Sequence, residues 1–124
     1  MRPTKNYISK SMKLKTIPDH EEIHDNLEDR FIEAWKIAFE AAAILKKECK
    51  AEEIRITGSL LHRERFHKES DIDLAVTNFT MADSFDCANF LQKFDPWEIE
   101  IIPLQSLYPE KRKLIMQRSV ALEV

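Results

Sequence analysis

The 124-residue sequence predicts one α/β domain of the α+β kind, a small mixed β-sheet of three or more strands flanked by helices. Three observations predict it. One long segment repeats apolar residues at steps of three and four. Three short segments alternate apolar with polar residues. The composition around them is that of a folded chain, 44% hydrophobic and 33% charged, which excludes a disordered polypeptide. No apolar run approaches the roughly 18–20 residues of a membrane span, so no membrane association is expected. The net charge of −3 supplies no broad cationic surface, and nucleic acid is not an expected partner.

Residues 1–18 contain Arg2, Lys5, Lys10, Lys13 and Lys15 and no acid. They read as a basic arm ahead of a domain over 19–124, and they lack the apolar stretch of a secretory signal. From Asp19 the pattern turns helical. Ile23, Leu27, Phe31, Trp35, Ala38, Ala42 and Leu45 mark one face of a helix over 20–48. Asp19 with Glu22 forms a capping box at its start. The charges Glu28, Arg30, Glu33 and Lys36 fall off the stripe.

Ile54 and Ile56 alternate with Arg55 and Thr57 in a first strand that runs into Gly58. Asp71–Val76 is the second strand, with Ile72, Leu74 and Val76 on one face and Asp71, Asp73 and Ala75 on the other. Thr80 and Asp83 cap a helix carrying Phe85, Ala88, Leu91 and Phe94, which Asp95-Pro96 stops. A third strand spans 97–102, and Pro103 ends it. A last helix starts near Pro109 and carries Leu114, Ile115 and Val120. Cys49 and Cys87 have no CxxC and no metal spacing, and are expected to be reduced thiols in a cytoplasmic protein.

The chemistry begins at the one glycine, Gly58, where average usage of about 7% would give about nine. A chain with a single glycine needs it for a backbone reason, either positive φ or close approach of another group. Without a Cβ, the turn at Gly58 lets backbone N–H groups point at an anion, and Ser59 adds a hydroxyl. Arg63, Arg65 and Lys68 follow with Glu64 as the one acid among them, so the loop suits a polyphosphate. Asp71 and Asp73 sit two apart on a strand, which places both carboxylates on one face roughly 6–7 Å apart at the backbone. Like charges so placed need neutralising, and hard dications such as Mg²⁺ do this together with substrate phosphates. An acid on the third strand, which offers Glu98 and Glu100, would complete a two-metal site. His62 and His67 lie five apart and do not make a zinc pair on one helical face. Trp35 and Trp97 fit core or helix–sheet packing, with Trp97 next to Glu98 within reach of the site. Lys111-Arg112-Lys113 reads as a solvated cluster.

Gly58-Ser59 followed by Ser70-Asp71-Ile72-Asp73-Leu74 resembles the signature of the DNA polymerase beta-type nucleotidyltransferase superfamily. The short chain, its leading helix and its later acidic strand resemble the minimal nucleotidyltransferase (MNT) branch, over about residues 20–122. The resemblance implies the nucleotidyltransferase fold, with Gly58 and Ser59 on the β- and γ-phosphates of ATP and Arg63, Arg65 and Ser70 beside them. It implies two Mg²⁺ ions on Asp71, Asp73 and a third carboxylate, Glu100, with Glu98 as the alternative. It further implies transfer of AMP from ATP to a hydroxyl of a partner, a HEPN-type helical protein paired with this chain as toxin with antitoxin. The alternative is a non-catalytic nucleotide-binding module that neutralises such a partner by contact. The sequence departs from the family pattern in the loop over 60–69, where the basic residue is shifted and a second glycine is absent, and in having Glu where Asp is common.

Overall fold

Residues 20–124 are described by a computed structural model. The basic arm and the Asp19 cap lie outside the described residues. Helix α1, His20–Cys49, is rich in alanine, the best helix former. Ala34, Ala38, Ala41, Ala42 and Leu45 are completely buried, and these small side chains let the helix lie close over the sheet. Past its end, Lys50 adopts φ 59° and Ala51 N donates to Leu45 O at 3.1 Å, the αL termination usually given to glycine.

The strands are β1 (Ile54–Thr57), β2 (Ile72–Val76), β3 (Ile99–Pro103) and β4 (Val120–Ala121). They form one sheet in the order β3-β2-β1-β4, with β1 antiparallel to β2 and β4, and β2 parallel to β3. Ile54, Ile56, Ile72, Leu74 and Val76 are fully buried and form the core with α1. Period-two alternation then puts Thr57, Asp73 and Glu100 on the opposite face. The fold class is the expected α+β.

The link from β2 to β3 passes through α2, Met81–Cys87, whose predicted cap is present: Thr80 Oγ1 accepts from Asp83 N at 3.2 Å, and Asp83 Oδ2 accepts from Thr80 N at 2.9 Å. The rest of the expected helix is a 3₁₀ segment, Ala88–Phe94. Its buried residues, Leu91 and Phe94, are three apart, a spacing that suits three residues per turn. Helix α3, Pro109–Gln117, begins on its proline as expected. Val120 is not on that helix. It pairs with Ile56 in β4, and Leu122 N donates to Ile54 O at 2.9 Å, so the chain end covers a free edge of β1. Arg55 is part of this closure, donating to Ser119 Oγ at 2.7 Å and to Ser119 O at 3.1 Å. Among the described residues no helix is long and apolar enough to cross a membrane.

The expectation of two reduced thiols is corrected. Cys49 and Cys87 form a disulfide with Cα atoms 6.2 Å apart. They are 38 residues apart in sequence, but α2 and the following 3₁₀ segment pack against α1 and bring the helix ends together. The bond closes a loop that contains β1 and β2. Chain entropy predicts that Cys87→Ser, or reduction, lowers unfolding free energy by about 2–4 kcal/mol. Chemical denaturation with and without dithiothreitol measures this, and the reductant should have no effect on the variant.

Candidate active site

β1 delivers Thr57 in extended conformation, and Gly58 follows with φ +80° to open a 3₁₀ turn, Gly58–Leu61. Thr57 is the register partner of Asp73, so Gly58 lies just beyond that acid. A Cβ placed on Gly58 would run into Asp73 Oδ2 and stand 3.3 Å from its Cγ. Both reasons for a lone glycine, positive φ and close approach, therefore hold at this residue. Leu60 is buried beneath the turn and fixes it to the core.

On the other side of Asp73, the parallel register sets Glu100 directly opposite. Asp73 Oδ1 is buried and has no hydrogen-bond partner. The Asp73 carboxyl is pushed up from 3.8 to about 6, first by burial, then by the charge of Glu100, a hydrogen bond shared with Glu100, and the charge of Asp71. The structure thus gathers Asp71, Asp73 and Glu100 around one side of the turn. It brings Glu100, not Glu98, against Asp73. The Glu98 carbonyl accepts from Ile72 N at 2.9 Å, and its side chain borders a cleft shared with Asp71.

These residues fit a divalent cation. The donors are carboxylate oxygens only, one is an orphaned buried oxygen, and the local negative charge is uncompensated. Among the described residues no three His, Cys, Asp or Glu side chains make a ready coordination group. Mg²⁺ does not require one, because it keeps waters and takes substrate phosphates as ligands.

The remaining expected residues divide. Ser59 is partly exposed at the turn. Ser70 is buried, and its hydroxyl accepts from His67 N at 2.9 Å, so it shapes the loop ahead of Asp71. Arg63 turns away to α1, donating to Glu28 Oε1 at 2.7 Å and lying over the Phe31 ring. Arg65 is exposed. His67 Nδ1 accepts from Glu69 N at 3.2 Å.

Arg30, off the apolar stripe of α1, also stands at this site. It reaches from α1 to the cleft of about 400 Å³ that Lys68, Ser70, Asp71 and Glu98 also line. Its guanidinium carbon lies 4.1 Å from the centroid of the Trp97 ring. The signal present in the sequence was an arginine on the flank of the apolar stripe, three residues after Leu27 and four before Ala34, and a tryptophan beside the acidic strand. Compared with protein-family models, curated proteins and solved structures, the chain matches none.

Proposed function

We propose that this chain is a Mg²⁺-dependent nucleotidyltransferase that moves AMP from ATP to a hydroxyl of a partner protein. The observation that carries the reading is the one glycine of the chain fitted against Asp73, with Glu100 in register on the next strand. A Gly-Ser turn beside coupled carboxylates suits a triphosphate and its counter-ions, and few other ligands need both. Bound to Asp71, Asp73 and Glu100, Mg²⁺ would neutralise the phosphates and the departing pyrophosphate.

The chain's own groups bind and orient. Backbone N–H groups at Gly58 and the Ser59 hydroxyl hold phosphate oxygens. The acceptor oxygen forms a bond to the α-phosphorus, the bond from that phosphorus to the bridging oxygen breaks, and pyrophosphate leaves with the electron pair. The acceptor proton passes to the Glu100 carboxylate and then to solvent. Positioning and charge neutralisation supply most of the rate. The base, the HEPN-type partner and its hydroxyl rest on the resemblance to MNT proteins. So does a cytoplasmic location, and the Cys49–Cys87 bond, which cytosolic reductants oppose, weighs against it.

One observation favours the second reading, a nucleotide-binding module that acts by contact alone: Arg63 is occupied by Glu28 and not by the turn. Incubation with α-labelled ATP, Mg²⁺ and an extract of the native host separates the two. The enzyme labels a protein band, and Asp71→Ala does not. Equal labelling by both proteins, or no labelling with any of the four nucleoside triphosphates, refutes the enzymatic reading.

A further inference from the structure

The first cation after the Gly-Ser turn, Arg63, is held by Glu28 on α1. A different arginine takes its place near the acids. Arg30 borders the cleft with Asp71, and its Nε is buried without a hydrogen-bond partner. Among the described residues it forms no ion pair, although Asp71, Glu69 and Glu98 line the same cleft. Its guanidinium carbon lies over the Trp97 ring, a cation–π contact that holds the charged group at the cleft. Lys68 stands on the same cleft and adds a second positive charge.

We infer that Arg30, held over Trp97 and assisted by Lys68, is the phosphoryl-binding cation of the cleft beside Asp71. The inference rests on the nucleotidyltransferase reading for what the phosphoryl group belongs to, but not for the binding itself. Desolvation lowers the Arg30 pKa below its ordinary value, with the nearby Glu33 opposing this, so the fold bears a cost to keep the charge there. A planar fork of donors on a rigid aromatic base matches the oxygens of a phosphoryl group in two-point contact. Glu69 and Glu98 oppose an anion, but both are exposed and solvent screens them, whereas Arg30 acts from a partly buried position. The phosphoryl group can come from the tail of a nucleoside triphosphate or from a single phosphate on the acceptor.

Trp97 makes the test direct. In a Trp35→Phe background it is the one remaining tryptophan, and an occupied Arg30 should change its fluorescence. Tripolyphosphate, inorganic phosphate and adenosine are titrated without metal. Tripolyphosphate is expected to shift the emission, adenosine is not, and Arg30→Met should weaken tripolyphosphate binding at least tenfold. Arg30→Lys keeps the charge but loses the fork, and should fall between. Lys36→Gln, on the same helix and exposed, should bind as wild type. Melting curves identify any variant that fails to fold, and Arg30→Lys then carries the comparison. Inorganic phosphate binding as tightly as tripolyphosphate assigns the seat to a single phosphate on the acceptor. Weaker inorganic phosphate assigns it to the triphosphate tail. The inference is overturned if both Arg30 variants bind tripolyphosphate as wild type does. It is equally overturned if Lys36→Gln loses as much as Arg30→Met, or if adenosine alone gives the full change. Arg30-dependent binding in a protein that transfers no nucleotide would sink the proposed function and leave this inference standing. Nucleotide transfer by a protein whose tripolyphosphate binding is unchanged in Arg30→Met would do the reverse.

Discussion

Asp73→Asn is expected to abolish nucleotide transfer while making the metal-free protein more stable at pH 7. The loss follows from removing a charged donor at the point where Gly58, Asp71 and Glu100 meet. It should be on the order of a thousandfold, about 4 kcal/mol of transition-state stabilisation. The gain follows from linkage. The folded carboxyl has its pKa at about 6, above its ordinary 3.8, so between these values the native state holds more proton than the unfolded chain. Stability therefore falls as pH rises through that window, and the full penalty is present above it. A shift of this size corresponds to about 3 kcal/mol, which partial exposure of the site reduces to about 1–2 kcal/mol. Asparagine carries no charge and escapes the penalty. Thermal unfolding at pH 4 and pH 7 should show wild type and variant alike at the lower pH and the variant higher at the upper. Mg²⁺ should raise the wild-type melting temperature and leave the variant's unchanged. Identical melting at both pH values would mean that neither burial nor the neighbouring carboxylates penalise the Asp73 charge.

Gly58→Ala should be the most damaging single methyl in the chain. Positive φ costs an alanine about 1–2 kcal/mol, and the new Cβ collides with the Asp73 carboxylate. The carboxylate must move, which adds about 1–2 kcal/mol by analogy with overpacked cores. Urea denaturation should show a loss of about 2–4 kcal/mol, and transfer activity should vanish with the displaced carboxylate. The two contributions separate in a double-mutant cycle. In an Asp73→Ala background the collision is gone and only the backbone cost persists, so Gly58→Ala should cost about half as much there. The same cost in both backgrounds would show that the glycine serves its backbone alone.

Much of this was legible in the sequence, for identifiable reasons. The α1 stripe and the alternation in β1, β2 and β3 are single-period signals over long enough stretches to read. Thr80 and Asp83 carry their cap geometry in their spacing. Gly58 stood out because it is alone. What escaped depends on contacts between distant segments. β4 has two residues, too few to show alternation, and exists because β1 offers it an edge. The disulfide depends on how α2 packs against α1, which no spacing reveals. Arg63 and Arg30 have the same charge and differ only in what the fold places beside them, Glu28 for one and Trp97 for the other.

The strand order leaves β3 at an outer margin of the sheet. Unpaired backbone along such a margin invites another chain to add a strand, the first step of aggregation. Glu98 and Glu100 stand in and just ahead of β3, both exposed, and Pro103 closes it without an N–H to donate. Charge repulsion and a missing donor both discourage strand addition. Glu100, proposed for the site, thus also protects solubility together with Glu98, and replacing both with neutral residues would remove a barrier to self-association.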